Sequence, residues 1–355
     1  MGENQPVRLG IVGCGFVTVD RHLPALEHVP EIEVVAVADR DPAAARAAGR
    51  VAPRARATDT ESLLAAPDVD AVAVCTPPAE HAGIALAALE AGKHIFVEKP
   101  LAFSLEEADR LIERAGRSTL RAMVGFNFRR HRFVERARRI VSEGKLGHVH
   151  AVRTAFTNPI LGPDLGWKAR RELGGGALLD RAVHHFDLWR FLLDAEIAEI
   201  FALTESERAD DQSTVVVGRT TAGTLVTALA LDETVVSHDL VLYGTEGALF
   251  VDCCRVDGFH LAPPSELPGS ALARLRRGRE ALARPGESLR AVRRGGDYRL
   301  SYEEQWRHFA EAIRRDFMPS PSLADGRAAL EIALGALESA ATGTPVSIGA
   351  RQVAR

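Results

Sequence analysis

Cysteine is scarce in this 355-residue chain, and its scarcity limits the chemistry that can be expected. The four cysteines lie at positions 14, 75, 253 and 254, and no spacing between them matches a metal-binding motif. We therefore expect no metal site. We also expect all four thiols to be buried and unreactive, with Cys14 and Cys75 filling small apolar sites.

An excess of positive charge and a long apolar run are both missing. Lysine and arginine number 44 against 48 acidic residues, which gives a net charge of -4 and argues against nucleic acid as an electrostatic partner. No apolar run approaches the roughly eighteen residues of a membrane span. Residues 1–6 carry no basic region followed by an apolar run. These features predict a cytoplasmic protein with no membrane partner.

Length and patterning predict two domains. Hydrophobic residues form 46% of the chain and charged ones 26%, and 355 residues exceed the size of a single core. Strand and helix patterns alternate over residues 1–125, which is typical of a doubly wound parallel sheet. Residues 126–355 then predict an α+β domain. Its strand-like runs are 147–157, 197–206, 212–218, 224–231 and 236–243, and its final helices are 301–315 and 323–341, which we expect to pack back on the first domain.

The second domain should expose one sheet face. Strand after strand predicts an open, mostly antiparallel sheet with helices on one face, so we expect a second copy to cover the other in a homodimer or homotetramer. The segment 261–298 reads as irregular because of its Pro and Gly pairs. Its eight arginines between Arg274 and Arg294 are typical of a solvated face, and the alternative is a clamp for a phosphate or nucleotidyl group.

A dinucleotide-binding pattern begins the chain. The buried strand predicted at 7–12 is followed by Gly13 and Gly15, which permit a tight turn and the approach of a pyrophosphate. Thr18 replaces the third glycine of the pattern. A second strand ends in Asp39, whose carboxylate suits an adenosine ribose and opposes a 2'-phosphate, so NAD is favoured over NADP. Arg40 beside it could instead pair with a phosphate.

Two further strands predict polar loops at the same edge of the sheet. One precedes Thr76 and His81, and the other precedes Glu98 and Lys99. Ligands bind at the carboxyl ends of the strands in such sheets, which places these residues near the Gly13 loop. Lys99 could polarise a substrate oxygen there. The alternative is a solvated ion pair between Glu98 and Lys99.

Three glycines, Gly174–Gly176, run into an apolar-periodic segment that carries Asp180 and His184. If that segment is helical, the acid and the imidazole share one face, at a helix start where glycines let a ligand approach. This arrangement suits a general acid or base. An ordinary surface or hydrogen-bonded pair has the same spacing. His185 falls about 100° round the helix and is predicted to lie in the core or directly behind the site residues.

Together these motifs resemble the family of glucose-fructose oxidoreductase, inositol dehydrogenase and their relatives, over nearly the whole chain. The similarity rests on Gly13 to Val17, Thr76-Pro77-Pro78, Glu98-Lys99-Pro100, Gly125-Phe126-Asn127, the glycine triplet with Asp180 and His184, and Gly244-Thr245-Glu246-Gly247. The resemblance implies that Lys99 and His184 flank the reacting carbon, with His184 taking the hydroxyl proton and Asp180 binding a second hydroxyl or orienting the imidazole.

The resemblance also implies two sets of binding residues. The cofactor set comprises Gly13, Gly15, Phe16, Val17, Asp39, Arg40, Thr76, Pro77, His81, Glu98, Lys99 and Asn127. The substrate set comprises Lys99, Asn158, Lys168, Asp180, His184 and Tyr302. Asn158 before a proline is also an ordinary turn former, and Asp187 could orient His184 or serve a subunit contact.

The expected activity is NAD-dependent hydride transfer at a secondary hydroxyl or ketone of a cyclic polyol, sugar or sugar nucleotide. An NADP-dependent keto-sugar reductase is one alternative, and a non-catalytic dinucleotide-sensing regulator is the other. The Glu98-Lys99-Pro100 turn also predicts a cis Lys99–Pro100 peptide, because the lysine must turn back directly after a strand and an X-Pro bond makes the cis form accessible. A trans bond would leave Pro100 as the start of the next turn.

Overall fold

The computed structural model describes residues 5–158, 166–266, 270–282 and 285–349. The chain divides into two compact units. Unit 1 comprises Met1–Asn127 and Tyr302–Leu330, and unit 2 comprises Phe128–Ser301 and Glu331–Arg355. The sequence-based division after residue 125 differs from this in that Phe126, Asn127 and residues 302–330 belong to unit 1.

Unit 1 contains the parallel sheet that the sequence predicted. Its strands pair in the order β3-β2-β1-β4-β5-β6, and every pairing is parallel. The strands are β1 (Val7–Val12), β2 (Ile32–Ala38), β3 (Arg56–Thr58), β4 (Ala71–Val74), β5 (His94–Val97) and β6 (Ala122–Val124). The order reverses between β1 and β4, and such a switch point is where doubly wound sheets bind ligands.

Helices connect the strands of unit 1, and local side-chain caps fix where several begin. They are α1 (Leu23–Leu26), which continues a π-helical turn at Thr18–His22, α2 (Pro42–Val51), α3 (Thr60–Ala65), α4 (Pro78–Glu90) and α5 (Leu105–Gly116). The Asp41 carboxylate accepts the Ala43 N–H, and the Ser104 and Glu107 side chains form a capping box. These caps fix where α2 and α5 begin, and so fix the ends of the loops that follow β2 and β5.

Unit 2 is built on a second sheet, with strand order β13-β12-β11-β7-β10-β9-β8-β14. Its strands are β7 (Val149–Asn158), β8 (Ile197–Glu205), β9 (Ser213–Thr220), β10 (Leu225–Asp232), β11 (Ser237–Gly244), β12 (Gly247–Asp252), β13 (Phe259–Ala262) and β14 (Val346–Ser347). The β7–β10 pair is parallel and the other described pairs are antiparallel. The mostly antiparallel sheet is confirmed, and the sequence analysis missed β12, β13 and β14.

The remaining helices are α6 (Arg132–Ser142), α7 (Val183–Leu193), α8 (Ala271–Leu282), α9 (Pro285–Arg293), α10 (Asp297–Arg314) and α11 (Leu323–Thr342). Residues of α10 and α11 belong to both units. The prediction that 261–298 is irregular was wrong, because α8 and α9 occupy much of it. Within the described parts of the chain, no helix combines the length and apolarity needed to cross a membrane.

The two faces of the second sheet differ. On one face α7 packs against β7, where the Trp189 indole N–H donates to Thr154 Oγ1 at 3.3 Å. On the other face apolar side chains remain open, with Leu203 62%, Val217 44% and Leu225 52% exposed. An open apolar face of this kind marks an interaction surface.

Candidate active site

The loop after β1 is held tightly against the loop after β4. Gly13 has φ +95°, and a Cβ there would lie 2.5 Å from the Cys75 carbonyl carbon and oxygen and 2.6 Å from the Thr76 nitrogen. Only glycine fits this approach without moving backbone. Thr18, at the third-glycine position, is fully buried and donates its hydroxyl to the Gly13 carbonyl at 2.6 Å. The threonine therefore stabilises the turn from within the following helix.

The same loop is open at its second glycine. A Cβ on Gly15 would meet no described atom within 4 Å, and Phe16 beside it is 59% exposed with the Arg21 guanidinium 5.0 Å from its ring centroid. Val17 follows at the start of the helix. This space fits the close backbone approach of a pyrophosphate that the pattern predicts.

Asp39 lies at the carboxyl end of β2, next to the glycine loop. Its carboxylate accepts the Cys14 N–H at 2.7 Å and the Asp41 N–H at 2.9 Å. These bonds fix the carboxylate at the position predicted to receive a ribose. Arg40 is exposed and lies 3.4 Å from Glu80 Oε1, measured from Nη1. An acidic partner therefore competes for the guanidinium that was the alternative receptor for a 2'-phosphate.

The loop after β4 is braced by His81. Its Nδ1 is 2.8 Å from the Pro100 carbonyl and its Nε2 is 2.8 Å from the Thr76 carbonyl, and the residue is 1% exposed. Burial lowers the pKa of His81, against the raising effect of these two carbonyls. The ring therefore links the loops after β4 and β5. Thr76 Oγ1, next to Pro77, is buried and has no hydrogen-bond partner among the described residues, which fits a polar ligand group.

The loop after β5 presents Lys99 and holds Glu98 inside. Glu98 is 6% exposed; its Oε1 lies 3.0 Å from His22 Nε2, and its Oε2 accepts the Lys99 backbone N–H at 3.1 Å. Burial acts to raise the pKa of Glu98, but the His22 hydrogen bond and the charge of Lys99 outweigh it and leave the pKa lowered. The prediction of a cis Lys99–Pro100 bond is confirmed. Because Glu98 is buried and lies within hydrogen-bond distance of His22, it does not form the solvated ion pair with Lys99 that was the alternative interpretation.

The cysteine prediction holds for three of the four thiols. Cys14, Cys75 and Cys253 are buried, and burial raises the pKa of Cys14 to about 12. Cys254 is exposed, so the prediction that it is buried was wrong. Its position directly after β12, in the turn that precedes β13, explains the exposure.

The glycine triplet of unit 2 is shaped by protein atoms. A Cβ on Gly175 would lie 2.3 Å from the Trp167 carbonyl and 2.5 Å from that of Lys168, and one on Gly176 would lie 2.9 Å from Asp211 Oδ2. The expectation that these glycines let a ligand approach is wrong at both positions, because the chain itself takes that space. Lys168 is exposed and lies in a short 3₁₀ turn. Its backbone carbonyl accepts the Gly176 N–H.

His184 and Asp180 lie on the helix that follows. Residues Leu178–Ala182 form a π-helical turn continuous with α7. His184 is 6% exposed, with the Phe128 ring edge-on at 5.1 Å. Asp180 Oδ2 lies 3.9 Å from Arg181, whose guanidinium pairs at 2.5 Å with Asp232. Burial, reinforced by Asp180 and opposed by Arg181, raises the pKa of Asp232 to about 6.

Asn158 joins this group through the sheet. It pairs in register with Asp232 at the carboxyl ends of β7 and β10. Within unit 2, Asn158 and Asp180 therefore lie beside Arg181 and Asp232, which the sequence analysis missed, and His184 follows four residues after Asp180 on the same helix. An acid at the end of a strand was the signal available for Asp232.

His185 lies in the core, as predicted. It is fully buried and stacks on His238 with ring centroids 5.3 Å apart. Burial lowers the pKa of His185 to about 3 and that of His131 to about 4. Asp187 is also buried; its carboxylate accepts from Arg129 Nε at 2.8 Å and Nη2 at 2.6 Å. This bidentate pair anchors α7 to the segment that precedes α6.

The remaining predicted residues lie in unit 1. Asn127 is 2% exposed at the start of a 3₁₀ turn after β6. Tyr302 on α10 is 6% exposed and meets the His22 ring edge-on at 5.3 Å. Unit 1 thus brings Gly13, Asp39, Thr76 and Lys99 to the carboxyl ends of β1, β2, β4 and β5. The sequence analysis did not single out His22 or Trp306.

The sheet order and the loop geometry of unit 1 are those of a dinucleotide-binding domain of the Rossmann type. Residues 7–126 match the family model for the oxidoreductase family with an NAD-binding Rossmann fold, and residues 134–250 match the GFO/IDH/MocA C-terminal domain. The chain belongs to the GFO/IDH/MocA oxidoreductase family, as the motifs predicted.

Named relatives act on several related substrates. The chain is 41% identical over 189 residues to dTDP-3,4-didehydro-2,6-dideoxy-alpha-D-glucose 3-reductase of Saccharopolyspora spinosa, covering 51% of this chain and 56% of that protein. It is 28% identical to myo-inositol 2-dehydrogenase of Thermotoga maritima over 94% of this chain and 96% of that one. Levoglucosan dehydrogenase in complex with NADH and levoglucosan superposes with a TM-score of 0.82 at 25% identity, covering 97% and 99% of the two chains.

Proposed function

We propose that this protein is an NAD-dependent oxidoreductase that transfers a hydride between nicotinamide and a secondary hydroxyl or ketone of a cyclic polyol, sugar or sugar nucleotide. The observation that carries the proposal is the arrangement in unit 1, where an open Gly15, a fixed Asp39 carboxylate and Lys99 lie at the carboxyl edge of one parallel sheet. The family relatives named above act on the same kinds of carbon.

The residues present fit NAD. Gly15 has open space for a pyrophosphate, Asp39 is held for a ribose hydroxyl pair, and the buried Thr76 hydroxyl lacks a described partner. The remaining cofactor residues are those predicted from the resemblance, with Arg40 as the neighbour of the ribose. When bound, the nicotinamide would accept or return the hydride. Asp39 should oppose a 2'-phosphate by a few kcal/mol at close range, so NAD should be preferred over NADP.

The chemistry of the protein side chains is proton transfer and charge stabilisation. In the proposed oxidation, a ring nitrogen of neutral His184 takes the hydroxyl proton as the C–H bond breaks, and the Lys99 ammonium stabilises the developing alkoxide. Asp180 would bind a neighbouring hydroxyl or orient the imidazole. Asn158, Lys168 and Tyr302 complete the proposed substrate set. In the reductive direction the same proton returns from His184 to the carbonyl oxygen.

Two substitutions test this assignment. Lys99→Met and His184→Ala should each lower kcat by roughly 10²–10⁴ while NADH affinity stays nearly unchanged, the range expected for a positioned acid or base. Lys145→Met and His28→Ala change exposed side chains and serve as matched controls. The screen pairs inositols, hexoses and nucleotide sugars with NAD and NADP and follows absorbance. Turnover within threefold of wild type in either test variant contradicts the assignment.

A keto-sugar reductase that uses NADP is the second candidate, favoured by the Saccharopolyspora relative and by Arg40 beside Asp39. Equal or better turnover with NADP in the wild type would support it. The non-catalytic regulator predicts tight dinucleotide binding with no turnover across the whole screen. A cytoplasmic location stays a prediction.

The open face of the second sheet supports a homo-oligomer. We propose that a second copy covers the apolar side chains that include Leu203, Val217 and Leu225. A charge in the middle of an exposed strand of that face, as in Val217→Arg, should shift the mass measured by light scattering toward the monomer. An unchanged oligomer, or a wild type that is itself monomeric, contradicts this proposal.

A further inference from the structure

We infer that His22 and Trp306 are positioning residues for Lys99, acting through the buried carboxylate of Glu98. This inference rests on the proposed role of Lys99 in hydride transfer. All four residues belong to unit 1, and three hydrogen bonds join them in one line. Trp306 Nε1 lies 3.2 Å from His22 Nδ1, His22 Nε2 lies 3.0 Å from Glu98 Oε1, and the Lys99 N–H donates to Glu98 Oε2 at 3.1 Å.

The direction of every bond in this line follows from the first donor. An indole N–H can only donate, so His22 Nδ1 must accept. The ring proton then sits on Nε2, which donates to Glu98 Oε1. His22 is thereby held as the neutral Nε2–H tautomer, because a proton on Nδ1 would face the indole donor. A neutral ring supplies a hydrogen bond to the carboxylate without adding a second buried charge.

Because the residues are buried, the Glu98 carboxylate depends on the hydrogen bond from His22. His22 and Trp306 are 0% exposed and Glu98 is 6% exposed, so water cannot replace a lost donor. A buried carboxylate without its hydrogen bonds is strongly disfavoured. Against the raising effect of burial, the charge of Lys99 and the hydrogen bond from its backbone also lower the pKa of Glu98. Glu98 therefore remains an anion beside the Lys99 backbone.

The surrounding packing holds the His22 ring and the carboxylate in place. Phe96, Tyr302 and Trp306 meet the imidazole edge-on at centroid distances of 5.7, 5.3 and 5.4 Å. On the carboxylate side, a Cβ on Gly125 would lie 2.8 Å from Glu98 Oε1. Any larger residue at position 125 would push against the Glu98 carboxylate. The three aromatic rings in turn keep the His22 imidazole beside that carboxylate.

The line ends on the main chain of Lys99 itself. Glu98 Oε2 accepts the Lys99 N–H, and one residue further along the Pro100 carbonyl lies 2.8 Å from His81 Nδ1. The Lys99 N–H is therefore linked through Glu98 to the buried ring of His22, and the Pro100 carbonyl contacts the buried ring of His81 directly. Loss of the His22 donor should release one of these links and leave the other.

The test compares two replacements of His22 that differ in hydrogen bonding. His22→Gln keeps one acceptor for Trp306 and one donor for Glu98, whereas His22→Leu keeps neither. His22→Leu should lower kcat roughly 10- to 100-fold, the factor expected for the loss of one hydrogen bond to a charged group, and leave the NADH Kd within about threefold. His22→Gln should recover most of the loss.

Trp306→Phe tests the far end of the line. It should lower kcat by a smaller factor, roughly three- to tenfold, because one neutral hydrogen bond is removed. Trp189→Phe makes the same chemical change in unit 2, where the indole donates to Thr154, and should leave kcat unchanged.

Two readouts separate positioning from a merely structural role. In the reductive direction protonated His184 is required and sets the basic limb, so the acid limb of the kcat/KM profile can report Glu98. That acid limb should move to higher pH by roughly one to two units in His22→Leu, because the pKa of Glu98 rises without its donor. ¹⁵N NMR of labelled histidine, assigned by difference with His22→Gln, should show His22 protonated on Nε2 in the wild type.

The outcomes distinguish this inference from the proposed function. Unchanged turnover in Lys99→Met contradicts the proposed function and the inference with it. Loss of turnover in Lys99→Met combined with kcat within threefold of wild type in His22→Leu overturns the inference alone. An Nδ1–H tautomer overturns it whatever the activity, and so does an acid limb that does not move.

Discussion

The two fingerprint glycines should respond in opposite ways to the same added methyl group. In Gly13→Ala the new Cβ would lie 2.5–2.6 Å from backbone atoms of Cys75 and Thr76, at φ +95°. The left-handed conformation contributes roughly 1–2 kcal/mol of strain and the overlap with backbone roughly 1–3 kcal/mol. The free energy of unfolding should therefore fall by about 2–5 kcal/mol, and Tm by roughly 4–20 °C.

Gly15→Ala should leave the folded state intact, because its Cβ would meet nothing within 4 Å. Loss of glycine freedom in the unfolded chain should even stabilise the protein by a few tenths of a kcal/mol or more. The same methyl group would nevertheless occupy the space proposed for the pyrophosphate. We expect NADH affinity to fall at least tenfold in this variant.

Urea unfolding of the ligand-free variants measures the first effect, and NADH titration by fluorescence measures the second. The expected pattern is a destabilised Gly13→Ala and a stable Gly15→Ala that binds NADH weakly. Stability of Gly13→Ala within 1 kcal/mol of wild type would refute the close approach of the β1 and β4 loops. NADH binding by Gly15→Ala at wild-type strength would refute the placement of the pyrophosphate.

Three further predictions concern groups away from the proposed reaction. His131 and His185 have pKa values lowered by burial to about 4 and about 3, so below pH 6.5 the unfolded chain binds more protons and each should lower the free energy of unfolding by roughly 1.4 kcal/mol per pH unit. Asp232, with its pKa raised to about 6, opposes one of these two contributions. Urea midpoints should therefore still fall between pH 6.5 and 4.5, and a flat profile would contradict the prediction. Thr18→Val should lower the free energy of unfolding by about 1 kcal/mol through loss of its 2.6 Å hydrogen bond, and an unchanged value would show that the bond contributes nothing. Asp187→Asn should cost about 3–5 kcal/mol because Arg129 is left as a buried charge, and a loss below 1 kcal/mol would show that other groups compensate.

Much of the fold could be predicted because its strands are short, buried and separated by regular connections. The order of the first sheet follows from alternating strands and helices. The errors arose where turn residues stood next to regular structure. The Pro and Gly pairs suggested an irregular segment over 261–298, yet α8 and α9 occupy much of it. The strand β12 was missed because Gly247 continues directly from the turn that ends β11.

A glycine can be required because a ligand approaches it or because another part of the chain does, and a sequence pattern does not separate the two cases. Gly15 borders open space, whereas Gly175 is required by the Trp167 carbonyl eight residues earlier. Both follow the rule that glycine permits close approach. What approaches is decided by tertiary packing, so the prediction from pattern was wrong for Gly175 and stays a prediction for Gly15.

His22 shows the same limit for polar residues. Its partners, Glu98 and Trp306, lie 76 and 284 positions away in the chain, so no local spacing relates them. The available signal was one imidazole among Leu23, Ala25 and Leu26 on an apolar helix start, where a buried polar group must find a partner. That rule predicts that a partner exists without naming it. The identity of the partner is what converts a buried histidine into a positioning residue, and it comes from the fold that brings β5 and α10 to the same helix.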